Sequence, residues 1–279
     1  MYAIEIKNLK KVYKDVTALG GIDLTIPKGE LFAYLGPNGA GKTTTIRILT
    51  GLTRPGSGYC SINGFDIKKD VHKAKLQYGL VPQSINLDSE LTVAENLMIH
   101  GRLFRMSKAD IRAKSDELLT YSEMEEKRNA LVKTLSGGMK RRLMISRALL
   151  HSPEVLFLDE PTAGLDPGIR RRIWALIKKI QSKGTTVFLT THYIEEAEFL
   201  ADRVAFLDKG MIIAMDTPAN FMKSIGTWAI DRLKDDAMET LYFRDRKEAE
   251  AFNFKSLAQY TLRRVNLEDA FLDLTGKKK

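Results

Sequence analysis

One glycine-rich segment of this sequence has the residue types and spacing of a phosphate-binding loop. The residues GPNGAGKTT, Gly36–Thr44, fit the pattern G-x-x-x-x-G-K-[ST]. They lie between an apolar run, Glu30–Leu35, that predicts a buried strand and a segment, Lys42–Thr50, that predicts a helix. Glycines let successive backbone N–H groups converge on phosphate oxygens, and the helix N-terminus adds partial positive charge. We therefore expect Lys42 to contact the β- and γ-phosphates of a nucleotide and the Thr43 hydroxyl to bind magnesium.

A pair of carboxylates follows a second apolar run, in the segment VLFLDEPT at residues 155–162. The run predicts a central strand, and ligands of open α/β sheets bind at the C-terminal ends of such strands. Asp159 would hold magnesium there, directly or through water, and Glu160 could polarise an attacking water. Because a charged strand end without any ligand has the same pattern, this assignment depends on the neighbouring phosphate loop.

A third segment, LSGGMKRR at residues 135–142, begins a predicted helix that continues to Leu150. Ser136 followed by two glycines at a helix start can form a second anion site. The alternative is a well-capped helix whose first turn is basic. Cations are unfavourable at a helix N-terminus unless an anion lies close, so we favour a second phosphate-binding site. A single nucleotide bound to one chain does not account for both sites.

These three segments, in this order, resemble the ATP-binding cassette (ABC) transporter ATPases, and the resemblance extends from about Ala3 to Asp216. Gly36–Thr44 resembles the Walker A motif, residues 155–160 the Walker B motif and Leu135–Met139 the family signature. Single residues that also match the family pattern are Gln83 of the Q-loop, Asp166 of the D-loop, the switch histidine His192 and Tyr13, where the family places an aromatic ring against adenine. The resemblance implies the ATP-binding residues Gly36, Pro37, Asn38, Gly39, Ala40, Gly41, Lys42, Thr43 and Thr44, and the signature residues Leu135, Ser136, Gly137, Gly138 and Met139.

The resemblance also implies a mechanism, in which two cassettes pair head to tail with ATP bound between them. Ser136 and Gly138 of one chain would contact the γ-phosphate held by Lys42 of the other, and Asp166 would link the two sites. The residues implied for magnesium are Thr43, Gln83 and Asp159. The implied catalytic residues are Glu160, His192, Lys42 and Gln83. The expected cofactors are ATP and Mg²⁺, the reaction is ATP hydrolysis, and the expected partner is a second ABC ATPase subunit in a homodimer.

A further implied partner is a separate integral-membrane permease. No purely apolar run exceeds five residues, whereas a membrane-spanning helix needs about 20. Met139 and the basic residues after it depart from the LSGGQ ending frequent in importers. They are similar to the exporter branch that includes drug-resistance, nodulation-factor and sodium-extrusion ATPases. The ending Leu267–Gly276, which predicts an amphipathic helix, resembles that branch too. We therefore expect an exporter ATPase.

Three alternatives remain beside the exporter. One is an importer ATPase, and another is a soluble ABC ATPase that acts on nucleic acid or ribosomes. The third is a P-loop kinase or GTPase, which leaves Leu135–Met139 unexplained. The sequence has no long coiled-coil insertion, second cassette or N-K-x-D motif, so we expect no nucleic-acid partner.

Composition agrees with a globular protein that contacts a membrane through a partner. The chain has 279 residues, of which 44% are hydrophobic and 28% charged, and a net charge of +9. The single cysteine, Cys60, cannot form an intrachain disulfide, and the first residues lack the apolar stretch of a signal peptide. The expected location is cytoplasmic, peripheral on the inner face of the cell membrane through the permease.

The elements that must position these residues have the order of an α/β fold. The resemblance implies a P-loop NTPase (RecA-like) core with an antiparallel β subdomain and an inserted α-helical subdomain, plus a small C-terminal α+β appendage. We expect residues 1–216 to form the nucleotide-binding domain, with the helical insertion at about 88–152, and residues 217–279 to form the appendage. Within the core, the residues 208–210, Asp-Lys-Gly, predict a three-residue hairpin loop.

Overall fold

The computed structural model describes residues 2–234, 237–252, 260–274 and 276. The strands, in chain order, are β1 (Tyr2–Tyr13), β2 (Val16–Pro27), β3 (Leu31–Leu35), β4 (Ser57–Ile62), β5 (Phe65–Asp66), β6 (Tyr78–Val81), β7 (Val155–Asp159), β8 (Thr186–Thr191), β9 (Arg203–Asp208), β10 (Met211–Asp216), β11 (Trp228–Lys234), β12 (Ala237–Phe243) and β13 (Tyr260–Arg264). The α-helices are α1 (Lys42–Leu49), α2 (Val71–Leu76), α3 (Val93–Leu103), α4 (Lys108–Tyr121), α5 (Gly137–Leu149), α6 (Pro167–Ser182), α7 (Ile194–Leu200), α8 (Pro218–Ile225), α9 (Arg246–Ala251) and α10 (Leu267–Leu274).

A six-stranded sheet in the order β10-β9-β3-β8-β7-β6 forms the centre of the molecule. Its neighbouring strands are parallel, except that β10 runs antiparallel to β9. Strands β3, β7 and β8 are buried along their whole lengths, because the sheet is covered on both faces. Alternate residues of β3 enter two hydrophobic cores, Leu31 and Leu35 on one side and Phe32 and Tyr34 on the other. This architecture confirms the predicted α/β fold class.

The register of the central strands brings three candidate segments to one edge of the sheet. Leu35, the last residue of β3, pairs with Thr191 of β8, and Asp159, the last residue of β7, pairs with Thr190. Because these strands are parallel, their C-terminal ends lie side by side. The phosphate-binding loop, the carboxylate Glu160 and the histidine that follows β8 therefore begin at neighbouring positions.

An antiparallel sheet in the order β2-β1-β4-β5 shares one core with the central sheet and α1. Strands β1 and β2 have 12 residues each and form a long hairpin. Cys60 of β4 is 2% exposed in this core, and burial raises the pKa of its thiol to about 12. A buried, protonated thiol is a packing group and not a nucleophile.

Helices α3, α4 and α5 lie between β6 and β7 in the chain and contribute to the core on the other face of the sheet. Helix α3 begins with a capping box in which Thr92 and Glu95 satisfy each other's backbone N–H groups. The Ser107 and Ser136 side chains cap α4 and α5 in the same position, each accepting from a backbone N–H three residues later. These caps explain why the helices begin where the polar residues stand.

The C-terminal segments form a three-stranded sheet, in the order β12-β11-β13, that is tied to α10. Arg263 forms ion pairs with Asp231 at 2.6 Å and with Asp269 of α10 at 2.7 Å. Burial alone would raise the pKa of Asp269, but hydrogen bonds from Arg263 and Asn266 lower it. Helix α10 packs against α7 and α8. The predicted helix at 267–276 thus ends at Leu274, and residue 275 lies outside the described part of the chain.

The hairpin between β9 and β10 differs from the prediction. Asp208 pairs with Met211, so the connecting loop has two residues, Lys209 and Gly210, instead of three. Both have positive φ, 44° and 76°, which is the combination of a type I′ turn. Within the described ranges of the chain, every helix is too short or too polar to cross a membrane.

Candidate functional site

The phosphate-binding loop connects β3 to α1 and depends on glycine at two positions. A Cβ atom on Gly36 would lie 2.2 Å from the carbonyl oxygen of Leu207, and one on Gly41 would lie 2.6 Å from that of Ala18. Gly41 also has a φ of 110°, which other residues rarely adopt. The loop backbone therefore passes too close to neighbouring strands for a side chain at these two positions, and a glycine-rich backbone of this kind can approach an anion closely.

Lys42, the first residue of α1, is 5% exposed and is surrounded by acceptors. Its Nζ donates to the carbonyl oxygens of Gly36 at 2.8 Å and Pro37 at 3.1 Å, and it lies 3.3 Å from Oε1 of Glu160. A buried ammonium group is stable only when it is paired. These contacts hold the lysine at the loop, where phosphate oxygens of a nucleotide would replace the carbonyl oxygens.

Asp159 forms a second polar cluster at the end of β7. Its Oδ1 accepts hydrogen bonds from the Thr43 hydroxyl at 3.2 Å and from the Thr190 hydroxyl at 2.6 Å. Burial raises the pKa of Asp159, whereas both hydroxyls and the charge of Lys42 act in the opposite direction. A carboxylate beside a hydroxyl supplies the hard oxygen ligands that Mg²⁺ prefers.

Glu160 is the point at which four segments of the chain meet. Its Oε1 faces Lys42, and its Oε2 accepts from Nε2 of Gln83 at 3.1 Å. Oε2 also lies 3.0 Å from Nδ1 of His192. The residue has a φ of 48°, and this left-handed backbone costs a non-glycine residue about 1–2 kcal/mol. A nearly buried carboxylate held in a strained conformation by three polar side chains has the arrangement of a catalytic group, not of a charged strand end.

The loop and these side chains line a cavity of about 410 Å³. Its lining residues are Val16, Ala18, Asn38, Gly39, Gly41, Lys42, Thr43, Thr44, Gln83 and Glu160. A larger groove of about 890 Å³ lies between α6 and α7, but helix side chains line it and it has no glycine-rich backbone. The smaller cavity is therefore the candidate nucleotide site.

The β2 side of this cavity contains residues that sequence reasoning missed. Val16 and Ala18 of β2 line the cavity, and Val16 is 67% exposed there. The only signal in the sequence was an apolar residue close to Tyr13. Tyr13 itself is 43% exposed and pairs in register with Val16, but it lies outside the cavity lining. Its contact with adenine stays a prediction.

The signature segment does not join this cluster. Ser136 is exposed, and its hydroxyl accepts from the backbone N–H of Met139 at 3.3 Å as the cap of α5. Gly138 packs against α6, where a Cβ would lie 2.5 Å from Cγ2 of Ile169. Asp166 is exposed at the start of α6. The structure thus assembles the predicted residues of the two Walker motifs with Gln83 and His192, and it leaves the signature and D-loop residues outside.

The basic turn after the signature has a structural explanation that the sequence did not reveal. Arg141 is 5% exposed, and its guanidinium donates to the carbonyl oxygens of Pro82 at 2.8 Å and Gln83 at 2.9 Å. Arg142 donates to the carbonyl oxygen of Ser122 at 2.8 Å. Both guanidinium groups therefore donate to backbone carbonyl oxygens of other segments. The hydrogen bonds of Arg141 connect α5 to the Q-loop.

Two of the remaining histidines form an aromatic cluster away from the nucleotide cavity. His151 stacks on Phe104 with ring centroids 3.7 Å apart, and His100 lies 5.0 Å from Phe104. Burial lowers the pKa of both histidines, that of His100 to about 4. They are neutral packing groups near pH 7.

Comparison with known proteins identifies the family to which this chain is similar. The profile of the ABC transporter family matches residues 19–163. Nod factor export ATP-binding protein I of Cupriavidus metallidurans is 40% identical to this chain over 99% of its length and 98% of the relative.

Solved structures extend this similarity to three dimensions. The ATP-binding subunit of an ABC transporter superposes with a TM-score of 0.75 at 26% identity, covering 98% of this chain and 99% of that one. A dimeric ATP-binding cassette in a post-hydrolysis state, bound to ADP and Pi, gives a TM-score of 0.69 at 31% identity over 77% of this chain and 98% of the other.

Proposed function

We propose a transport function on the premise that this chain belongs to the ABC transporter family and is an ATP-hydrolysing subunit of that family. ATP hydrolysis by this subunit drives a separate integral-membrane permease, and the direction of transport is export. The observation that carries the catalytic part is the convergence of Lys42, Gln83 and His192 on Glu160 beside the phosphate-binding loop.

Each side chain around Glu160 has a separate role in ATP hydrolysis. Glu160 positions the attacking water and accepts its proton, and His192 and Gln83 hold the carboxylate in place. Lys42 moves from the loop carbonyls to the β- and γ-phosphate oxygens when ATP binds, because the negative phosphates are stronger acceptors. Catalysis by this chain is therefore positioning and charge stabilisation.

Magnesium fits the oxygen atoms next to the loop. Thr43, Asp159 and the side-chain oxygen of Gln83 would hold the ion. Bound there, Mg²⁺ would neutralise negative charge on the phosphates. No cluster of three or more His, Cys, Asp or Glu side chains suited to a metal occurs among the described residues. That agrees with an ion that takes most of its ligands from phosphate and water.

A second copy of the chain completes the site. Ser136 and Gly138 lie outside the cavity of their own chain, so the anion site at the start of α5 serves a nucleotide held by another chain. A head-to-tail homodimer gives each ATP one phosphate-binding loop and one signature helix, with Asp166 between the two sites. The similar post-hydrolysis cassette is dimeric, which supports this arrangement.

The surface near the Q-loop supports a permease partner. Ile85 is 50% exposed two residues after Gln83. Apolar side chains left exposed in this way are typical of protein interaction sites. We infer that a cytoplasmic helix of the permease docks here and places the subunit on the inner face of the membrane.

Two observations support export as the direction. The curated relatives that match nearly the whole chain are named as ATP-binding proteins of Nod factor export. The signature ends in Met139 where importers frequently have glutamine. No described feature favours a nucleic-acid partner over the permease.

The test is a complementation experiment with two inactive variants, Lys42→Ala and Ser136→Arg. Each homodimer should lose ATPase activity, because both of its sites contain the defect. A mixed dimer combines both defects in one site and leaves the other intact, so it should have up to about half of the wild-type activity. In a random equimolar mixture about half of the dimers are mixed, so about a quarter of the wild-type activity should return. A mixture that stays inactive while both chains remain folded and dimeric would contradict the head-to-tail assignment. Copurification of an integral-membrane protein with the wild-type chain tests the permease partner.

A further inference from the structure

Glu196 is a fully buried acidic residue that the mechanism above does not use. It lies in α7, four residues after His192, and is 0% exposed. Its Oε1 accepts a hydrogen bond from the Thr162 hydroxyl at 2.7 Å and another from Nε1 of Trp174 at 2.9 Å. Among the described residues, Oε2 finds no partner in good hydrogen-bond geometry. A leucine would fill this position without the cost of burying a polar group, so the carboxyl group calls for an explanation.

The two donors lie on either side of the D-loop. Thr162 is two residues after Glu160 and immediately precedes residues 163–166, and it is 0% exposed. Trp174 lies on α6, the helix that begins after Asp166, and is 4% exposed. Oε1 of Glu196 therefore accepts hydrogen bonds from one residue before the D-loop and from one residue after it.

A second contact joins the same two helices next to the switch histidine. The Arg170 guanidinium of α6 lies 4.3 Å from the ring centroid of Tyr193, and the Tyr193 ring lies 4.1 Å from that of His192. Burial raises the pKa of Glu196, against which Thr191, Thr162 and Trp174 act. The turn that carries His192 and the D-loop are thus packed as one unit.

We propose that Glu196 is a positioning residue that couples His192 in one nucleotide site to the D-loop that faces the other. A movement of His192 towards the γ-phosphate shifts α7, and Glu196 carries that shift to Thr162 and Trp174. This inference rests on the proposed head-to-tail dimer, because only there does the D-loop of one chain lie against the nucleotide of its partner. Glu196 is fully buried outside the cavity lining and acts through Asp166.

Three variants of the full-length chain separate positioning from packing. Glu196→Gln keeps a side-chain oxygen for both donors, and its kcat should stay within about threefold of wild type. Glu196→Ala removes the acceptor, and Thr162→Val removes one donor at nearly constant volume. Both should lower kcat at least about tenfold with KM for ATP nearly unchanged, because the phosphate-binding loop is untouched.

The matched control is Ser146→Ala in α5. Ser146 is 2% exposed and donates to the Ser122 hydroxyl at 3.0 Å, so its loss removes one buried hydrogen bond away from the cavity. Its kcat should equal that of wild type even when its melting temperature falls as much as that of Thr162→Val. Equal losses of kcat in Ser146→Ala and Thr162→Val, or a Glu196→Gln variant as inactive as Glu196→Ala, would overturn the proposal.

The decisive experiment uses mixed dimers purified through two different tags. One chain carries Glu160→Gln, so the remaining active site uses the other chain's catalytic residues and the D-loop of the Glu160→Gln chain. Adding Glu196→Ala to the Glu160→Gln chain should lower turnover at least about fivefold, and more than Glu196→Ala in the other chain does. An effect confined to the other chain would overturn the coupling.

The same mixed dimer distinguishes a wrong coupling hypothesis from a wrong head-to-tail arrangement. Ser136→Arg placed in the Glu160→Gln chain should abolish turnover, since that chain supplies the signature to the remaining site. If Ser136→Arg has no effect there, the head-to-tail arrangement is wrong, and the proposed coupling falls with it. If Ser136→Arg abolishes turnover and Glu196→Ala in that chain does not lower it, only the coupling is wrong.

Discussion

The two phosphate-binding regions of this chain differ in how complete they are. Around the first, Lys42, Gln83 and His192 all contact Glu160. The second consists of the exposed start of α5, where Ser136 caps its own helix and contacts none of those residues. Strand register assembles the first region, whereas a helix cap and packing against α6 define the second.

This difference indicates how the two regions share the work. The first region is preorganised around Glu160, and in the proposed mechanism ATP binding exchanges only the contacts of Lys42 with loop carbonyls for contacts with phosphate. In the proposed dimer, the second region functions only in the site of the other chain. Substitutions in the first region should therefore affect chemistry within a chain, and substitutions in the second should affect the meeting of two chains.

The largest effect should come from Glu160→Gln in the preorganised region. The amide cannot accept the proton of the attacking water, so kcat should fall about 100- to 1,000-fold while ATP affinity is retained. Steady-state ATPase assays and nucleotide-binding titrations measure the two quantities. Glu154→Gln is the control, because Glu154 precedes the same strand and pairs with Lys28 on the exposed surface. A Glu160→Gln chain with unchanged turnover would show that the carboxylate is not the base.

A smaller effect should follow from adding one methyl group to the signature helix. Gly138→Ala places a Cβ 2.5 Å from Ile169, so α5 must shift against α6, and kcat should fall about tenfold. Gly137→Ala meets only Leu165 at 3.8 Å, an ordinary contact, and should leave the melting temperature unchanged. Thermal unfolding and ATPase assays of both variants measure the difference. Equal melting temperatures for the two variants would show that the contact with Ile169 does not position α5.

Arg141→Lys tests a direct connection between the two regions. Lysine keeps the charge but cannot donate to Pro82 and Gln83 with the paired geometry of a guanidinium group. We expect kcat to fall several-fold and the dependence of rate on ATP concentration to change, because Gln83 and the signature helix no longer move together. Arg142→Lys is the control, because it makes the same exchange at a guanidinium group that donates to Ser122 and not to the Q-loop. If both variants behave alike, the hydrogen bonds to Pro82 and Gln83 are dispensable.

The smallest effect concerns stability in acid and comes from a residue outside both phosphate-binding regions. Burial lowers the pKa of His100 to about 4, below the value of about 6.5 in an unfolded chain. Between these values the unfolded chain binds a proton that the folded chain does not, so stability falls as the pH falls. Between pH 7 and pH 5 the loss should be about 1–2 kcal/mol.

Urea unfolding of His100→Gln at both pH values checks this expectation. The variant should lose that part of the pH dependence, while His72→Gln, on the exposed surface of α2, should keep it. Hydrogen exchange should show acid loosening in α3 and α5 before the central sheet. Identical pH dependence in wild type and His100→Gln would exclude this histidine as the cause.

The local parts of the site could be predicted from sequence because short-range chemistry determines them. Gly36 and Gly41 stand where only glycine fits, and Ser136 stands where a helix needs a cap. The fold class followed from apolar runs that alternate with helical segments. Leu135–Met139 was assigned correctly to the start of a helix for the same reason.

The contacts between distant segments could not be predicted in this way. Thr190 supplies a hydroxyl to Asp159 because β8 lies beside β7, and strand order has no signal in a single sequence. The partners of Arg141 are backbone carbonyls, which every residue carries, so no pattern of side chains points to them. Val16 lines the cavity because a long hairpin places it there, and an exposed valine has no chemical signature.

The left-handed backbone at Glu160 has a consequence for the evolution of this subunit. Asparagine and glycine adopt that conformation more readily than glutamate does, so either would relieve local strain at the position. Selection for thermal stability alone would thus favour loss of the carboxylate to which we assign activation of the attacking water. We expect natural cassettes with asparagine or glycine at this position to be more stable subunits that bind nucleotide without hydrolysing it. The glutamate is expected to persist only where ATP hydrolysis is under selection.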